Sequence, residues 1–239
     1  CARCFQSVLF AVAFRWQWHP FSVSSAPEAD NITIVLKDLG DWTHALCELP
    51  SAFVPDGSKL RIDGPFGRLA VPVASYDAVL LCCGGIGCTP MMSVLGSIVA
   101  RSKAGGKAPR EIWFVWAVRE AALVEYFMPL LIEAAQLPGC RIRVHRTGQD
   151  DDSDALPADE ADEAGTAVPR LLAGRPSMPE VIHDVDEACM SHFGANDRPI
   201  SVCAVLACGP DALLESVKEA IAETKTKSSF EYHEETFEF

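Results

Sequence analysis

The chain has 239 residues, 49% hydrophobic and 22% charged, enough apolar material for one large domain or two small ones, which excludes wholesale disorder. Its formal net charge of −13 makes nucleic acid or an anionic membrane surface a poor partner. Much of that charge lies in one run, Asp150, Asp151, Asp152, Asp154, Asp159, Glu160, Asp162 and Glu163, so the folded body is only mildly acidic.

Taken from the start, the apolar stretch Val8 to Phe14 is far shorter than the ~20 residues of a membrane helix and reads as a strand. Ile32-Thr33-Ile34-Val35-Leu36 is a β-branched run ending at Asp38 and Gly40, and Leu60-Arg61-Ile62 is a short strand stopped by Asp63-Gly64-Pro65. Pro20, Pro27, Pro50, Pro55 and Pro65 punctuate this part. Short strands with frequent breakers predict a small antiparallel β-barrel over residues 1–75.

The pattern changes at Tyr76. Ala78-Val-Leu-Leu-Cys-Cys83 is a continuous apolar strand, as expected where helices cover both faces. Gly84, Gly85 and Gly87 follow, and Pro90 opens a helix with Met92, Leu95, Ile98 and Val99 at helical spacing. A strand at 111–118, a helix at 121–136, a strand at 141–145, a helix at 178–192, a strand at 201–207 and a helix from Asp211 to about Thr224 continue the alternation. It predicts a doubly wound parallel α/β domain over 76–239, interrupted at 149–167 by an acidic surface loop. Cys82, Cys83, Cys88, Cys203 and Cys208, five of the ten cysteines, sit in apolar stretches and read as buried thiols. Cys1 and Cys4 form a lone CxxC with no second pair, so no metal site is expected.

The strand, Gly85-Ile-Gly-Cys-Thr-Pro90 turn and helix have the form of a diphosphate cradle. Glycines let backbone and ligand approach closely, and a helix N-terminus offers unpaired N–H groups and partial positive charge. The segment Trp18-His19-Pro20-Phe21-Ser22-Val23-Ser24-Ser25 suits a flat heteroaromatic ligand, with rings for stacking and hydroxyls for hydrogen bonding. It reads equally well as a strand with a serine-rich turn.

A wider set of motifs decides between these readings. His19-Pro20-Phe21-Ser22 with Val-Ser-Ser-Ala-Pro-Glu28 resembles the flavin-binding signature of the NADPH oxidase and ferric reductase family. In the same order come Gly40-Asp41-Trp42-Thr43, Asp63-Gly64-Pro65-Phe66-Gly67, the Gly85–Pro90 turn, Phe114-Val-Trp116-Ala-Val-Arg119-Glu120, Gly174-Arg175-Pro176, Cys208-Gly209-Pro210 and the tail Phe230-Glu-Tyr-His-Glu-Glu-Thr-Phe237. The resemblance covers more than nine-tenths of the chain.

That resemblance implies a ferredoxin-reductase-like module that passes hydride from NADPH to FAD. Its flavin-binding β-barrel over residues 1–75 would be partial, N-terminally incomplete, because the family's barrel begins further before the His-Pro-Phe-Ser segment and residues 1–17 leave room for one or two strands. Electrons would then go to haem in an upstream membrane domain of the parent, and on to oxygen or ferric iron. The module would face the cytosol and carry no membrane span of its own. His19, Pro20, Phe21 and Ser22 would line the flavin, with Ser22 near its reactive nitrogen. Gly85, Gly87, Thr89 and Pro90 would hold the dinucleotide, and Cys208, Gly209 and Pro210 would flank the nicotinamide. Arg119 and Arg175 would take the 2′-phosphate of NADPH, although Glu120 could instead hold a ribose hydroxyl, which leaves NADH open. Phe237, or its rival Phe239, would stack on the flavin. A soluble diaphorase without haem, and a fragment that binds nucleotide or a partner without catalysis, are the alternatives.

Overall fold

The computed structural model describes residues 7–11, 18–48, 61–66, 71–148, 169–193 and 201–234. The acidic run at 149–167, Cys1, Cys4, Phe237 and Phe239 lie outside the described residues.

The first part is an antiparallel sheet of β1 (Ser7–Ala11), β2 (His19–Ser22) and β3 (Arg61–Phe66), in the order β2-β1-β3. Ser7 pairs with Ser22 and Phe10 with His19, which fixes the register of the His-Pro-Phe-Ser segment. The strand expected at Ile32–Leu36 does not form. Only Ile34 makes an antiparallel bridge, to Val23. Beside it one backbone bond, from the Ser24 N–H to the Thr33 carbonyl, is joined by two serine side chains: the Ser24 hydroxyl donates to the same carbonyl, and the Thr33 N–H donates to the Ser25 hydroxyl. The chain then leaves the sheet, and Gly40-Asp41-Trp42-Thr43 opens a short helix, α1 (Asp41–Cys47). The Thr43 hydroxyl accepts from the Leu39 and Gly40 N–H groups at 2.8 and 3.0 Å, which anchors the first turn.

The second part alternates β4 (Ala78–Gly84), α2 (Cys88–Lys103), β5 (Glu111–Val118), α3 (Ala121–Ala135), β6 (Cys140–Arg146), β7 (Arg170–Ala173), α4 (Met178–Phe193), β8 (Val202–Cys208), α5 (Asp211–Glu223) and β9 (Ser229–Glu234). The strands form one parallel sheet, ordered β7-β6-β5-β4-β8-β9. Period-two alternation along β4 divides the core. Val79, Leu81 and Cys83 pack with Met92, Leu95, Phe127 and Leu131 of α2 and α3. Ala78, Leu80 and Cys82 pack with Ile182, Val185 and Val217 of α4 and α5. Helices therefore cover both faces, as the doubly wound reading requires. The edge strands β7 and β9 were not among the predicted elements.

Small residues join the two parts. Ser93 and Ser97 on α2 donate to the Ser25 carbonyl (2.7 Å) and to Glu28 Oε1 (2.9 Å). Between them, a Cβ on Gly96 would stand 3.2 Å from the Ala26 Cβ, so a larger residue would push residues 25–28 back by a few tenths of an ångström. Among the described residues no helix is long and apolar enough to cross a membrane.

Candidate functional site

The strand order reverses between β4 and β8, which places a crevice at their carboxyl ends. Gly84 ends β4 and Gly209 follows β8, with φ at +156°. A Cβ on Gly209 would lie 2.8 Å from the Gly84 nitrogen, and one on Gly87 would lie 2.7 Å from the Cys208 carbonyl oxygen. These glycines are needed for strand ends to meet. Gly85 differs: its φ is +52°, and a Cβ there would meet nothing within 4 Å. The space above it is open. Trp116, fully buried on β5, donates from Nε1 to the Gly85 carbonyl at 3.0 Å and holds the peptide.

That open space belongs to a cavity of about 530 Å³ lined by Lys37, Gly84, Gly85, Ala117, Arg119, Glu120, Thr147, Arg175, Pro176, Pro210, Ala212, Leu213 and Ser216. Arg119 lies along Gly148, where a Cβ would come 3.2 Å from its Nε. Cationic side chains and an open glycine fit an anionic dinucleotide. Glu120 is the cavity's one carboxylate among the described residues; its hydrogen bond from Lys37 holds its pKa below the usual glutamate value.

A second cavity, about 500 Å³, is lined by His19, Pro20, Phe21, Ser22, Val35, Leu36, Lys37, Leu39, Gly40, Asp41, Trp42, Thr43, Ile86 and Thr89. The His19 and Trp42 rings lie 4.2 Å apart, and Phe21 stacks on Trp42 at 5.8 Å. Ser22 is only 8% exposed. Aromatic walls, an imidazole and a buried hydroxyl fit a flat heteroaromatic ring.

The described residues among those singled out in the sequence therefore fall into three groups: one in each cavity and one in neither. His19, Pro20, Phe21, Ser22 and Thr89 come together in the second cavity. Gly85, Arg119, Arg175 and Pro210 come together in the first. Gly87, Pro90 and Cys208 are buried beneath the turn and line neither cavity, and Gly209 lies at the β4–β8 junction. Phe237 falls outside the described residues.

The described cysteines form no disulfide, and all but Cys47 are buried. Burial pushes the Cys82 thiol up to about 12, so it stays protonated at neutral pH. Sequence reading missed Lys37, Thr147 and Ser216. Lys37 lines both cavities and donates from Nζ to Glu120 Oε1 at 2.6 Å. No local pattern marks it, because its partner is 83 residues away.

The ferric reductase NAD binding domain family matches residues 76–222, and an FAD-binding domain family matches residues 4–70. Respiratory burst oxidase homolog protein D of Arabidopsis thaliana is 28% identical over 93% of this chain and 29% of its own length. NADPH oxidase 1 of Mus musculus is 28% identical over 92% of this chain and 39% of its own length. The chain thus spans well under half of these relatives. Among solved structures, a flavohemoglobin from Malassezia yamatoensis with bound FAD and heme superposes with a TM-score of 0.57 at 16% identity, covering 97% of this chain and 51% of that one. A ferredoxin-NADP+ reductase from Plasmodium falciparum with 2′P-AMP gives 0.55 at 14% identity, covering 95% and 82%. Likeness at such identities speaks for the fold alone.

Proposed function

The chain belongs to the ferric reductase NAD binding domain family, and from that premise we propose that it is a dehydrogenase module passing hydride from NADPH to FAD. In the intact parent, electrons would continue to haem in an upstream membrane domain, and then to oxygen or ferric iron. The module would face the cytosol, with residues 1–75 as its flavin part and 76–239 as its nucleotide part.

One observation carries this reading. A single turn serves both cavities: Gly85 lines the cationic one, and Ile86 and Thr89 line the aromatic one. Ligands filling the two would therefore meet over residues 85–89. Bound FAD supplies the redox chemistry, taking up a hydride and releasing electrons singly. The chain's own work is to bind, orient and exclude water.

His19, Pro20, Phe21 and Ser22 hold the ring, with the buried Ser22 hydroxyl as its hydrogen-bonding group. Gly85 leaves room for the dinucleotide's backbone, and Arg119 and Arg175 take its 2′-phosphate. Pro210 bounds the nicotinamide end. Cys208 and Gly87 act from beneath by fixing the turn, together with Gly209 and Pro90, while Thr89 lines the aromatic cavity and holds the turn through its hydroxyl on the Ile86 carbonyl. Phe237 or Phe239 would shield the ring.

Titration of the chain with FAD and with NADPH tests the reading. Saturable binding of both to one chain is expected. NADPH binding with no FAD binding at any concentration would overturn the flavin half.

A further inference from the structure

Lys37 and Glu120 come from opposite sides of the cleft. Lys37 follows the Ile32–Leu36 segment of the flavin part, whereas Glu120 follows β5 in the nucleotide part. Lys37 is the one described residue lining both cavities. Two other polar contacts between the parts among the described residues, Ser93 with Ser25 and Ser97 with Glu28, lie along α2 and line neither cavity.

Glu120 sits where a nucleotide fold discriminates between dinucleotides. A carboxylate past the end of a strand next to the glycine turn accepts the ribose 2′-hydroxyl of NADH and repels the 2′-phosphate of NADPH. Here that carboxylate adjoins Arg119 within a cavity that also holds Arg175. Two arginines ask for a phosphate, and one glutamate opposes it. The Lys37 ammonium resolves the conflict by engaging Glu120 Oε1 at 2.6 Å.

We infer that Lys37 is a specificity-determining residue: reaching across from the flavin side, it masks the Glu120 carboxylate and so favours a 2′-phosphorylated dinucleotide over one with a free 2′-hydroxyl. The inference rests on the dinucleotide reading of this cavity. It also makes cofactor choice in the nucleotide part depend on a residue of the other part.

The pair is half-exposed, with side chains 47% and 40% accessible. The effect read in binding is therefore modest, roughly fivefold in NADPH affinity.

The test is titration of the full chain with NADPH and, separately, with NADH, followed by tryptophan fluorescence. Lys37→Met should weaken NADPH roughly fivefold while leaving NADH equal or tighter. Lys37→Arg, which keeps the charge, should retain the preference. Lys37→Met combined with Glu120→Gln should restore NADPH affinity although the ion pair is still missing; a merely structural bridge would not be rescued by deleting its second half. NADPH binding as weak in the double variant as in Lys37→Met, or equal weakening of both dinucleotides in the single variant, overturns the masking role alone. If the unaltered chain binds neither dinucleotide, the cavity reading falls and the masking role with it.

Discussion

The Trp116 indole nitrogen donates to the Gly85 carbonyl at 3.0 Å, tying a fully buried core residue of β5 to the one turn shared by both cavities. This bond and the φ of +52° at Gly85 hold the turn with its open side towards the cationic cavity. An alanine at 85 would fit sterically, since nothing lies within 4 Å of its Cβ. It would still pay for a left-handed backbone, roughly 1–2 kcal/mol. Gly85→Ala should therefore fold, melt at a lower temperature and lose NADPH affinity, because its methyl group takes ligand space. Thermal denaturation and titration together check this. Unchanged NADPH affinity would remove Gly85 from the cradle.

Arg119 should discriminate between dinucleotides. Replacing it by alanine deletes a guanidinium from the cavity and should weaken NADPH by about 1.5–3 kcal/mol, the range for a charge-assisted hydrogen bond. NADH should be little affected. Calorimetric titration with each dinucleotide decides it, and equal losses for the two would count against a 2′-phosphate role.

Ser22 is 8% exposed, pairs with Ser7 at the end of β2 and faces the aromatic cavity. Ser22→Ala removes one hydroxyl with little change of shape. It should leave FAD binding largely intact and slow reduction of bound flavin by NADPH roughly tenfold, the cost of about one hydrogen bond made in the transition state. Stopped-flow absorbance separates the two effects. Loss of FAD binding with an unchanged reduction rate would make Ser22 a binding residue only.

His145 on β6 predicts a pH dependence of stability. It is 8% exposed, and burial, then Arg143, lower its pKa from 6.5, with the Gly174 backbone opposing. Between the folded pKa and 6.5 the unfolded chain binds more protons than the folded one. The contribution of His145 is thus complete above about 6.5 and is lost as pH falls through the folded value. Urea unfolding at a series of pH values should show stability falling as pH drops below about 6.5, less steeply in His145→Gln. Identical slopes for the two proteins would exclude His145 as the source.

Much of the nucleotide part was legible because β4 and β8 are apolar throughout and β5 is apolar after Glu111, the pattern expected of strands covered on both faces. Glu111–Val118 forms as read, the other strands and helices read in this part differ by a residue or two at their ends, and α2 runs four residues beyond Val99. The edge strands were not legible. Arg170–Ala173 has only four residues, and Ser229–Glu234 mixes aromatic and charged residues on a strand paired on one side.

The flavin part misled at Ile32–Leu36. β-Branched composition favours a strand, but the pairing stops at one bridge and one backbone bond supplemented by serine side chains, and Val35, Leu36 and Lys37 line the cavity instead. Trp42 was visible as part of a motif, whereas its stacking between His19 and Phe21 depends on the fold. Lys37 was invisible because its significance lies entirely in a contact across the cleft.

The most direct test of the central claim is anaerobic mixing of the FAD-loaded chain with NADPH while flavin absorbance is recorded. Bleaching of the bound flavin, with one oxidised dinucleotide formed per flavin reduced, is the predicted result. Flavin demonstrably bound, NADPH demonstrably bound and no bleaching would contradict it.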